Sequence, residues 1–367
     1  MSDLLFKVGL TLIPNIGDVL AKQLISYCGS AEEVFKTPKA KLLKIPRIGK
    51  VLAECISKQD VLKRAEEIID IAIKNNIEIL YFEDKAYPDR LKQIDDSPCL
   101  MYYKGNADLN AEKVVAIVGT RNSTDYGNET TEKIVAQLKD HKVLVVSGLA
   151  YGIDIVAHRS ALAANLKTVG VMANGLDTVY PSRHLGTARA MTECGGLLSE
   201  NPFGSKPDAP KFPARNRIIA GMCDALIVVE AAEKGGALIT AEIGHSYNKD
   251  VFAVPGNINR PYSMGCNNLI KQHKAIFLSS IKDLEKELNW DLKAQENMRK
   301  MEHVLAQLEG KEKLLVELLL KNESMMVDEL ARKTQTEIYQ LSGALLSLEL
   351  QGIVKVLPGR KYALKFA

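Results

Sequence analysis

Between residues 113 and 282, short apolar runs alternate with stretches of helical periodicity. Six of these runs have the length and apolar content of buried parallel strands: 114–118, 143–147, 168–172, 197–199, 225–229 and 251–254. Strands that alternate with helices in this way form an open, doubly wound sheet with helices on both faces. The pattern therefore predicts an α/β domain whose loops at the carboxyl ends of the strands can bind a ligand.

The first 75 residues have helical periodicity and contain one short motif twice. It reads Ile-Pro-Asn-Ile-Gly at 13–17 and Ile-Pro-Arg-Ile-Gly at 45–49, and an apolar helical pattern follows each copy. Proline and glycine bracket a tight turn, so 1–75 is predicted to be an all-α, SAM-like domain that resembles a double helix-hairpin-helix unit. A hairpin glycine lets backbone N–H groups approach a DNA phosphate. Few basic residues lie beside the first hairpin, which favours a structural role there.

Two further short strands are predicted at 77–81 and 99–103. The segment 76–112 is too short to bury a core of its own. We therefore expect it to extend one edge of the main sheet, within a domain that covers residues 76–285.

The last part of the chain is predicted to be a helical linker, 286–310, followed by a winged-helix domain, 311–367. The domain shows three helical stretches, 314–320, 327–333 and 337–350, and then a hairpin with Pro358 and Gly359 at its turn. A helix that reads DNA needs both basic side chains for phosphates and amide side chains for base edges, yet residues 336–352 include no lysine or arginine. We interpret this domain as a protein-contact or structural module.

The composition describes an ordinary globular protein of 367 residues with a net charge of +3, so any DNA-binding surface must be local. Six scattered cysteines without metal-ligand spacing predict reduced thiols and no metal. The loop after the first predicted strand lacks the G-x-G-x-x-G pattern and no Walker motif occurs, which argues against a cofactor. Neither a signal peptide nor a membrane span is predicted, so we expect a cytoplasmic protein.

Residues 212–221, just before the apolar run 225–229, carry the strongest chemical signal. Arg215 and Arg217 flank Asn216 where a helix is predicted to begin on the rim of the sheet. A helix N-terminus offers unpaired N–H groups and partial positive charge, so arginines there favour an anion site. The alternative is that the two arginines are solvated charges or partners of Asp224 and Glu230, and the segment alone leaves both readings open.

No catalytic constellation stands out. Asp154 and His158 lie about one turn apart, so they are predicted to share a helix face and to pair in a structural role. Three glutamates are candidate acid or base groups, but no pattern sets any of them opposite another: Glu200, Glu230 and Glu242. Binding is therefore favoured over catalysis.

Eight motifs, in order, resemble the DNA-processing protein A family, which is also called DprA or Smf. They are VAIVGTR at 115–121, SGLAYGID at 147–154 with His158, GLD at 175–177 with Tyr180-Pro181, SE at 199–200, FPARNRIIAG at 212–221, GALITA at 236–241, FAVPG at 252–256, and SMGCNNLI at 263–270. The resemblance implies an extended Rossmann-like fold that binds single-stranded DNA without being an enzyme. It also implies a homodimer that loads the RecA recombinase in natural transformation and recombination.

The resemblance further implies the residues that contact DNA. These are Gly119, Thr120, Arg121, Ser147, Gly148, Phe212, Arg215, Asn216 and Arg217, with Lys167, Arg183, Lys206 and Lys211 as a basic rim. His184 stands where the family usually has asparagine, which leaves the contacts of its loop open. For the dimer interface we expect Leu269, Ile270 and Ile276, an apolar set near the last strand of the sheet.

A second class of function stays open at this point. Residues 234–242 faintly resemble the glycine-rich loop and glutamate of nucleotide-processing enzymes in the lysine-decarboxylase-like Rossmann group. The loop lacks that group's second glycine-threonine pair in register, so the enzyme is the weaker hypothesis.

Overall fold

The computed structural model describes residues 2–290, 305–322, 324–357 and 361–365. The chain forms two compact units, Met1–Leu284 and Glu285–Ala367. The first unit holds the helical N-terminal segment and a nine-stranded sheet, and the second includes, among its described residues, three helices and a three-stranded sheet.

Six helices precede the main sheet: α1 (Ser2–Leu12), α2 (Asp18–Cys28), α3 (Ala31–Lys36), α4 (Lys39–Leu42), α5 (Lys50–Lys58) and α6 (Leu62–Lys74). The repeated motif forms two turns of the same conformation. Asn15 and Arg47 have φ angles of 62° and 68°. Gly17 and Gly49 precede α2 and α5 with φ angles of −85° and −87° and a ψ of 176° in both. The sequence repeat is therefore also a structural repeat.

The isoleucines of both turns hold the helical segment together. Ile13, Ile16, Ile45 and Ile48 are buried and belong to one apolar cluster. The same cluster includes Tyr102 of the sheet, so the helical segment and one edge of the sheet share a core. Burying such side chains stabilises the segment by about 1.5–3 kcal/mol for each residue.

The predicted extension consists of β1 (Glu78–Tyr81), α7 (Asp89–Lys92) and β2 (Leu100–Gly105). The two strands pair antiparallel with each other, and β2 pairs antiparallel with β6 (Gly195–Ser199) of the main sheet. Two strands of this length are only marginally stable alone, and pairing with a larger sheet supplies the missing contacts.

The doubly wound part contains β3 (Val114–Val118), α8 (Asp125–Leu138), β4 (Leu144–Ser147), α9 (Ile153–Ala163), β5 (Thr168–Val171), α10 (Leu185–Glu193), β6, α11 (Lys211–Met222), β7 (Ala225–Val228), α12 (Gly236–Ser246), β8 (Asp250–Ala253), α13 (Met264–Lys271), β9 (Ile276–Phe277) and α14 (Ile281–Glu287). All six predicted strands are present within one or two residues of their predicted ends. The extended Rossmann-like fold class is confirmed.

The strand order is β1-β2-β6-β5-β4-β3-β7-β8-β9. From β3 the chain winds outward through β4, β5 and β6, and then returns to the other side of β3 to add β7, β8 and β9. The winding direction therefore reverses between β3 and β7. Open α/β sheets bind ligands at such a switch point, beyond the carboxyl ends of the strands.

The second unit contains α15 (Gly310–Leu320), β10 (Met325–Met326), α16 (Val327–Thr334), α17 (Ile338–Leu350), β11 (Val354–Leu357) and β12 (Lys361–Leu364). Three helices and a small antiparallel sheet are the arrangement expected for a winged helix. Most of the predicted linker, 291–304, lies outside the described residues, as do Pro358 and Gly359 of the predicted turn. In the described ranges, no helix has the length and apolar content needed to cross a membrane.

Candidate nucleic-acid interface

A cleft of about 680 Å³ opens at the switch point of the sheet. Its walls are the loop after β3, the loop after β7, and the first turns of α11 and α12. Gly119, Thr120, Arg121, Phe212, Arg215 and Asn216 line it, so the structure brings together six of the predicted DNA-binding residues. Because α12 begins at Gly236 without a side-chain cap, its free N–H groups add positive potential to the cleft.

The mouth of the cleft carries an arginine and two aromatic rings. The guanidinium carbon of Arg121 lies 5.3 Å from the ring centroid of Phe212, and the ring of Tyr180 lies 5.9 Å from the same ring. Arg121 and Tyr180 are both exposed. Aromatic faces and guanidinium planes are the groups on which unpaired bases stack. Tyr180 belongs to one of the eight motifs, but no contact was predicted for it, because the proximity of rings on different loops leaves no local signal in the sequence.

Arg215 lies below this surface and is only 4% exposed. Its Nη1 donates hydrogen bonds to the carbonyl oxygens of Gly148 and Val171, at the ends of β4 and β5. A Cβ at position 148 would lie 2.3 Å from this guanidinium, so the glycine gives the arginine its space. Burial lowers the pKa of Arg215 to about 10 while nearby Asp154 opposes the shift, so the side chain stays charged at neutral pH. Arg215 thus joins two strand ends and places positive charge at the floor of the cleft.

The predicted pairing of Asp154 with His158 is wrong. The Asp154 carboxylate accepts a hydrogen bond from the Gly148 N–H at 3.2 Å, and Nδ1 of His158 shares one of 2.7 Å with the Thr168 hydroxyl. Burial raises the pKa of Asp154, which nearby Arg215 opposes. Burial also lowers the pKa of His158 to about 3, with the positive charge of Arg215 acting in the same direction. A neutral, buried histidine of this kind supports packing.

Arg217 does not line the cleft, although the sequence predicted it as a phosphate contact. Its Nη2 donates hydrogen bonds to Asp18, at 3.0 Å, and to Glu200. Burial raises the pKa of Glu200 to about 7, although Arg217 opposes the shift. Arg217 therefore connects α2 of the helical segment to the end of β6. This geometry favours the alternative that the sequence analysis left open, a structural ion pair, with different acidic partners.

Two other residues that were predicted to contact DNA, Ser147 and Lys167, do not line the cleft. Ser147 is fully buried and donates its hydroxyl proton to the carbonyl oxygen of Ile117 at 2.6 Å. Lys167 precedes β5, so it lies at the amino-terminal ends of the parallel strands, whereas the cleft lies at their carboxyl ends. Its ammonium group donates a hydrogen bond of 2.8 Å to the side-chain oxygen of Asn106. The sequence could have excluded Lys167, because it precedes the predicted strand 168–172 and ligands bind beyond the carboxyl ends of the strands. The burial of the Ser147 hydroxyl depends on the assembled sheet.

The remaining residues of the predicted basic rim lie at the same end of the sheet as the cleft. Arg183 and Lys206 are exposed on the loops that follow β5 and β6. Lys211, at the start of α11, donates to the carbonyl oxygen of Lys206 at 3.1 Å. One basic residue at the site was not predicted as a contact: the exposed Lys234 lines the cleft before α12. These cations stay predicted contacts.

The glutamate of the enzyme-like loop points elsewhere. Gly235 and Gly236 line the cleft, but Glu242 does not, and its carboxylate accepts a hydrogen bond of 2.6 Å from Lys274. The weak resemblance to nucleotide-processing enzymes therefore lacks its acidic group in this cleft.

The three predicted interface residues differ in their environment. Leu269 is 4% exposed and packs in the core of the sheet domain, so it is not available to a partner as predicted. Ile270 and Ile276 are half-buried and line a second groove, of about 500 Å³, together with Phe277. β9 is the last strand of the sheet, as the sequence predicted.

These features define a Rossmann-like α/β protein with a positively charged cleft at its switch point. The chain belongs to the DNA recombination-mediator protein A family, whose model matches residues 78–289. A model of the DprA winged helix domain matches residues 300–360. The family predicted from the motifs is confirmed.

Individual relatives agree with this assignment. Protein Smf of Synechocystis sp. is 32% identical over 95% of this chain and 96% of its own length. The X-ray structure of DNA processing protein A from Streptococcus pneumoniae has a TM-score of 0.61 and 33% identity over 77% of this chain and 96% of that chain. A Helicobacter pylori structure, whose description concerns the single-stranded DNA binding mode of DNA processing protein A, has a TM-score of 0.53 and 29% identity over 59% of this chain and 96% of that one.

Proposed function

We propose that this protein binds single-stranded DNA without being an enzyme, protects the strand, and loads RecA onto it during natural transformation and recombination in the cytoplasm. The observation that carries the proposal is the cluster of Arg121 and Phe212, which line the switch-point cleft, with the ring of Tyr180 beside that of Phe212. Stacking surfaces and phosphate-binding cations together suit an unpaired strand, because only there are base faces accessible. The single-stranded DNA named for the Helicobacter pylori relative supports the same ligand.

The proposal assigns different roles to four parts of the chain. Residues 76–285, including the extension 76–112, form the DNA-binding domain. Residues 1–75 form the helix-hairpin-helix domain, 286–310 the linker, and 311–367 the winged-helix domain. The switch-point cleft and all four residues of its predicted basic rim lie within residues 76–285.

The decisive experiment measures oligothymidine binding by the full chain as a function of salt. Arg121→Ala should lower the magnitude of the log K against log salt slope by roughly 0.7, which corresponds to one phosphate contact on a single strand. Arg121→Lys should keep the slope, because the charge remains, but should lose affinity because lysine does not stack as a plane. The matched control is Arg189→Ala, which removes an exposed arginine of α10 outside the cleft. An equal effect of Arg121→Ala and Arg189→Ala would contradict the proposed site.

The aromatic residues supply an independent test. Phe212→Ala and Tyr180→Ala should each weaken oligothymidine binding by about 1–3 kcal/mol without changing the salt slope, because stacking involves no counterion release. Wild-type affinity should be higher for the oligothymidine than for a duplex of equal length. A loss of duplex affinity in Phe212→Ala as large as its loss of oligothymidine affinity would contradict a single-strand site in the cleft.

We also propose that the protein forms a homodimer through the groove beside β9. Phe277 is 50% exposed on this edge strand, and exposed apolar edges are normally covered in a stable protein. Ile276→Glu should give a folded monomer in light scattering, whereas Lys282→Glu, on the exposed surface of α14, should not. A wild-type monomer at micromolar concentration would contradict this interface.

For the winged-helix domain we propose contact with protein, RecA being the expected partner of the whole molecule. Tyr339 and Leu350 on α17 are 73% and 81% exposed, and residues 336–352 lack lysine and arginine. Deleting 311–367 should leave oligothymidine affinity within a few-fold of the full chain. A tenfold loss, about 1.4 kcal/mol, would mean that this domain binds the strand directly.

A further inference from the structure

A ridge of cations runs along the second hairpin of the helical segment, far from the cleft in sequence. Residues 39–50 contain five basic residues and no acidic one. Four of the five recur every third position, at Lys41, Lys44, Arg47 and Lys50, and all four are exposed. We call these four residues the hairpin ridge.

The backbone explains why the ridge forms. Within 41–48 the turns close through hydrogen bonds between residues three apart, from Lys44 N–H to Lys41 O and from Ile48 N–H to Ile45 O. A period of three residues keeps side chains i and i+3 on one side. Leu42, Ile45 and Ile48 are also three residues apart, and all three side chains are buried. The residue before each buried one is therefore held on the outer surface.

The charges of the ridge are not neutralised within the described residues. Lys39, just before the ridge, pairs with Glu54 at 3.5 Å, and Glu54 also pairs with Lys58. None of the four ridge residues has an ion pair in the described part of the chain. The uncapped N-terminus of α5, at Gly49, adds partial positive charge at the end of the ridge. Such a surface suits a polyanion.

We propose that the hairpin ridge binds the phosphate backbone of duplex DNA, at a site separate from the single-strand cleft. Residues 39–50 contain no aromatic side chain and no asparagine or glutamine, so, apart from the guanidinium of Arg47, they offer neither a stacking surface for unpaired bases nor amide groups for reading base edges. What remains is contact with phosphates, which a duplex displays on its outside and which carries no sequence information. The protein would then hold duplex and single strand at once, as at a junction between them.

The test measures binding of the full chain to a blunt duplex and to an oligothymidine of equal length, each across a salt series. Lys44→Gln combined with Lys50→Gln should lower the magnitude of the duplex salt slope by about 1.8, since each phosphate contact on B-DNA contributes about 0.9. Duplex affinity at low salt should fall roughly tenfold. Oligothymidine affinity should stay within twofold, because that ligand occupies the cleft.

The matched control is Lys63→Gln combined with Lys74→Gln, which removes two exposed lysines of α6 in the same segment and should change neither ligand's slope. An unchanged duplex slope in the ridge variant overturns the proposal, and this is also the result expected if the ridge binds an acidic protein. An equal loss on both DNA ligands overturns it as well, because the ridge would then hold the single strand. Failure of the cleft appears separately, as unchanged oligothymidine binding in Arg121→Ala.

Discussion

The two hairpins of the helical segment have one backbone conformation and opposite electrostatic surroundings. Each turns at a residue of positive φ, Asn15 or Arg47, and each leads into a helix through a glycine. After the first turn comes Asp18, whose carboxylate accepts hydrogen bonds from the Cys99 N–H and from Arg217. After the second comes the exposed Lys50. The first hairpin is attached to the sheet domain, while the second presents positive charge to solvent.

The motif therefore supplies a scaffold, and the neighbouring charges decide its use. A repeat shares the apolar positions that keep the turn in shape, because those positions face a common core. The polar positions are not constrained by that core and can diverge.

Because the two turns share their packing, equivalent substitutions in them should lower the free energy of unfolding by equal amounts. Ile16 and Ile48 occupy equivalent positions and are 6% and 5% exposed. Ile16→Ala and Ile48→Ala should each lower the free energy of unfolding by about 2–4 kcal/mol, from lost burial and the cavity left behind. Urea unfolding followed by circular dichroism measures both. A cost below about 1 kcal/mol for only one of them would mean that the turns do not share their packing.

The attachment of the first hairpin predicts a stability role for Arg217. Arg217→Ala leaves the carboxylates of Asp18 and Glu200 without their cation. The free energy of unfolding should therefore fall by about 2–3 kcal/mol. This loss is somewhat smaller than at a fully buried ion pair, because all three side chains are partly exposed. Arg189→Ala should change stability by less than about 0.5 kcal/mol. If Arg217→Ala left stability unchanged but weakened oligothymidine binding, Arg217 would be a DNA contact and not a structural ion pair.

The contribution of Glu200 to the stability of the folded protein should depend on pH. Glu200 has its pKa raised from 4.5 to about 7, mainly by burial and further by the nearby Asp18, against the opposing charge of Arg217. A carboxyl with a higher pKa in the folded state binds more protons when folded. Its contribution is therefore complete below about pH 4.5 and is lost as the pH rises through about 7.

Glu200→Gln should remove this dependence. Between about pH 5 and pH 8, the wild type should lose about 2 kcal/mol of stability relative to Glu200→Gln. Chemical unfolding at several pH values measures the difference. A constant difference across this range would show that Glu200 stays ionised in the folded protein.

The smallest effect separates the charge of the second hairpin from its shape. Arg47 adopts the left-handed conformation that asparagine, present at Asn15, tolerates better. Arg47→Asn should therefore stabilise the protein by roughly 0.5 kcal/mol while lowering the magnitude of the duplex salt slope by about 0.9. A loss of stability would mean that the Arg47 side chain supports the turn.

The apolar pattern of the sequence was enough to predict the fold. The six core strands, the edge extension and the helices of the winged helix were predicted close to their observed ends. Periodicity succeeds here because a parallel strand is buried on both faces and must be apolar along its length. The short β10 has no such length and was defined only by pairing in the folded protein.

The sequence by itself also brought the correct loops to the cleft, because strand polarity sends every loop that follows a parallel strand to one edge of the sheet. Only the tertiary structure decided which charged side chains stay free there. Arg121 and Arg217 both belong to basic motifs, yet one lies exposed at the cleft and the other pairs with Asp18, which is 199 residues away along the chain. Periodicity depends on near neighbours, whereas the partner of a charge depends on which distant residues the fold places beside it.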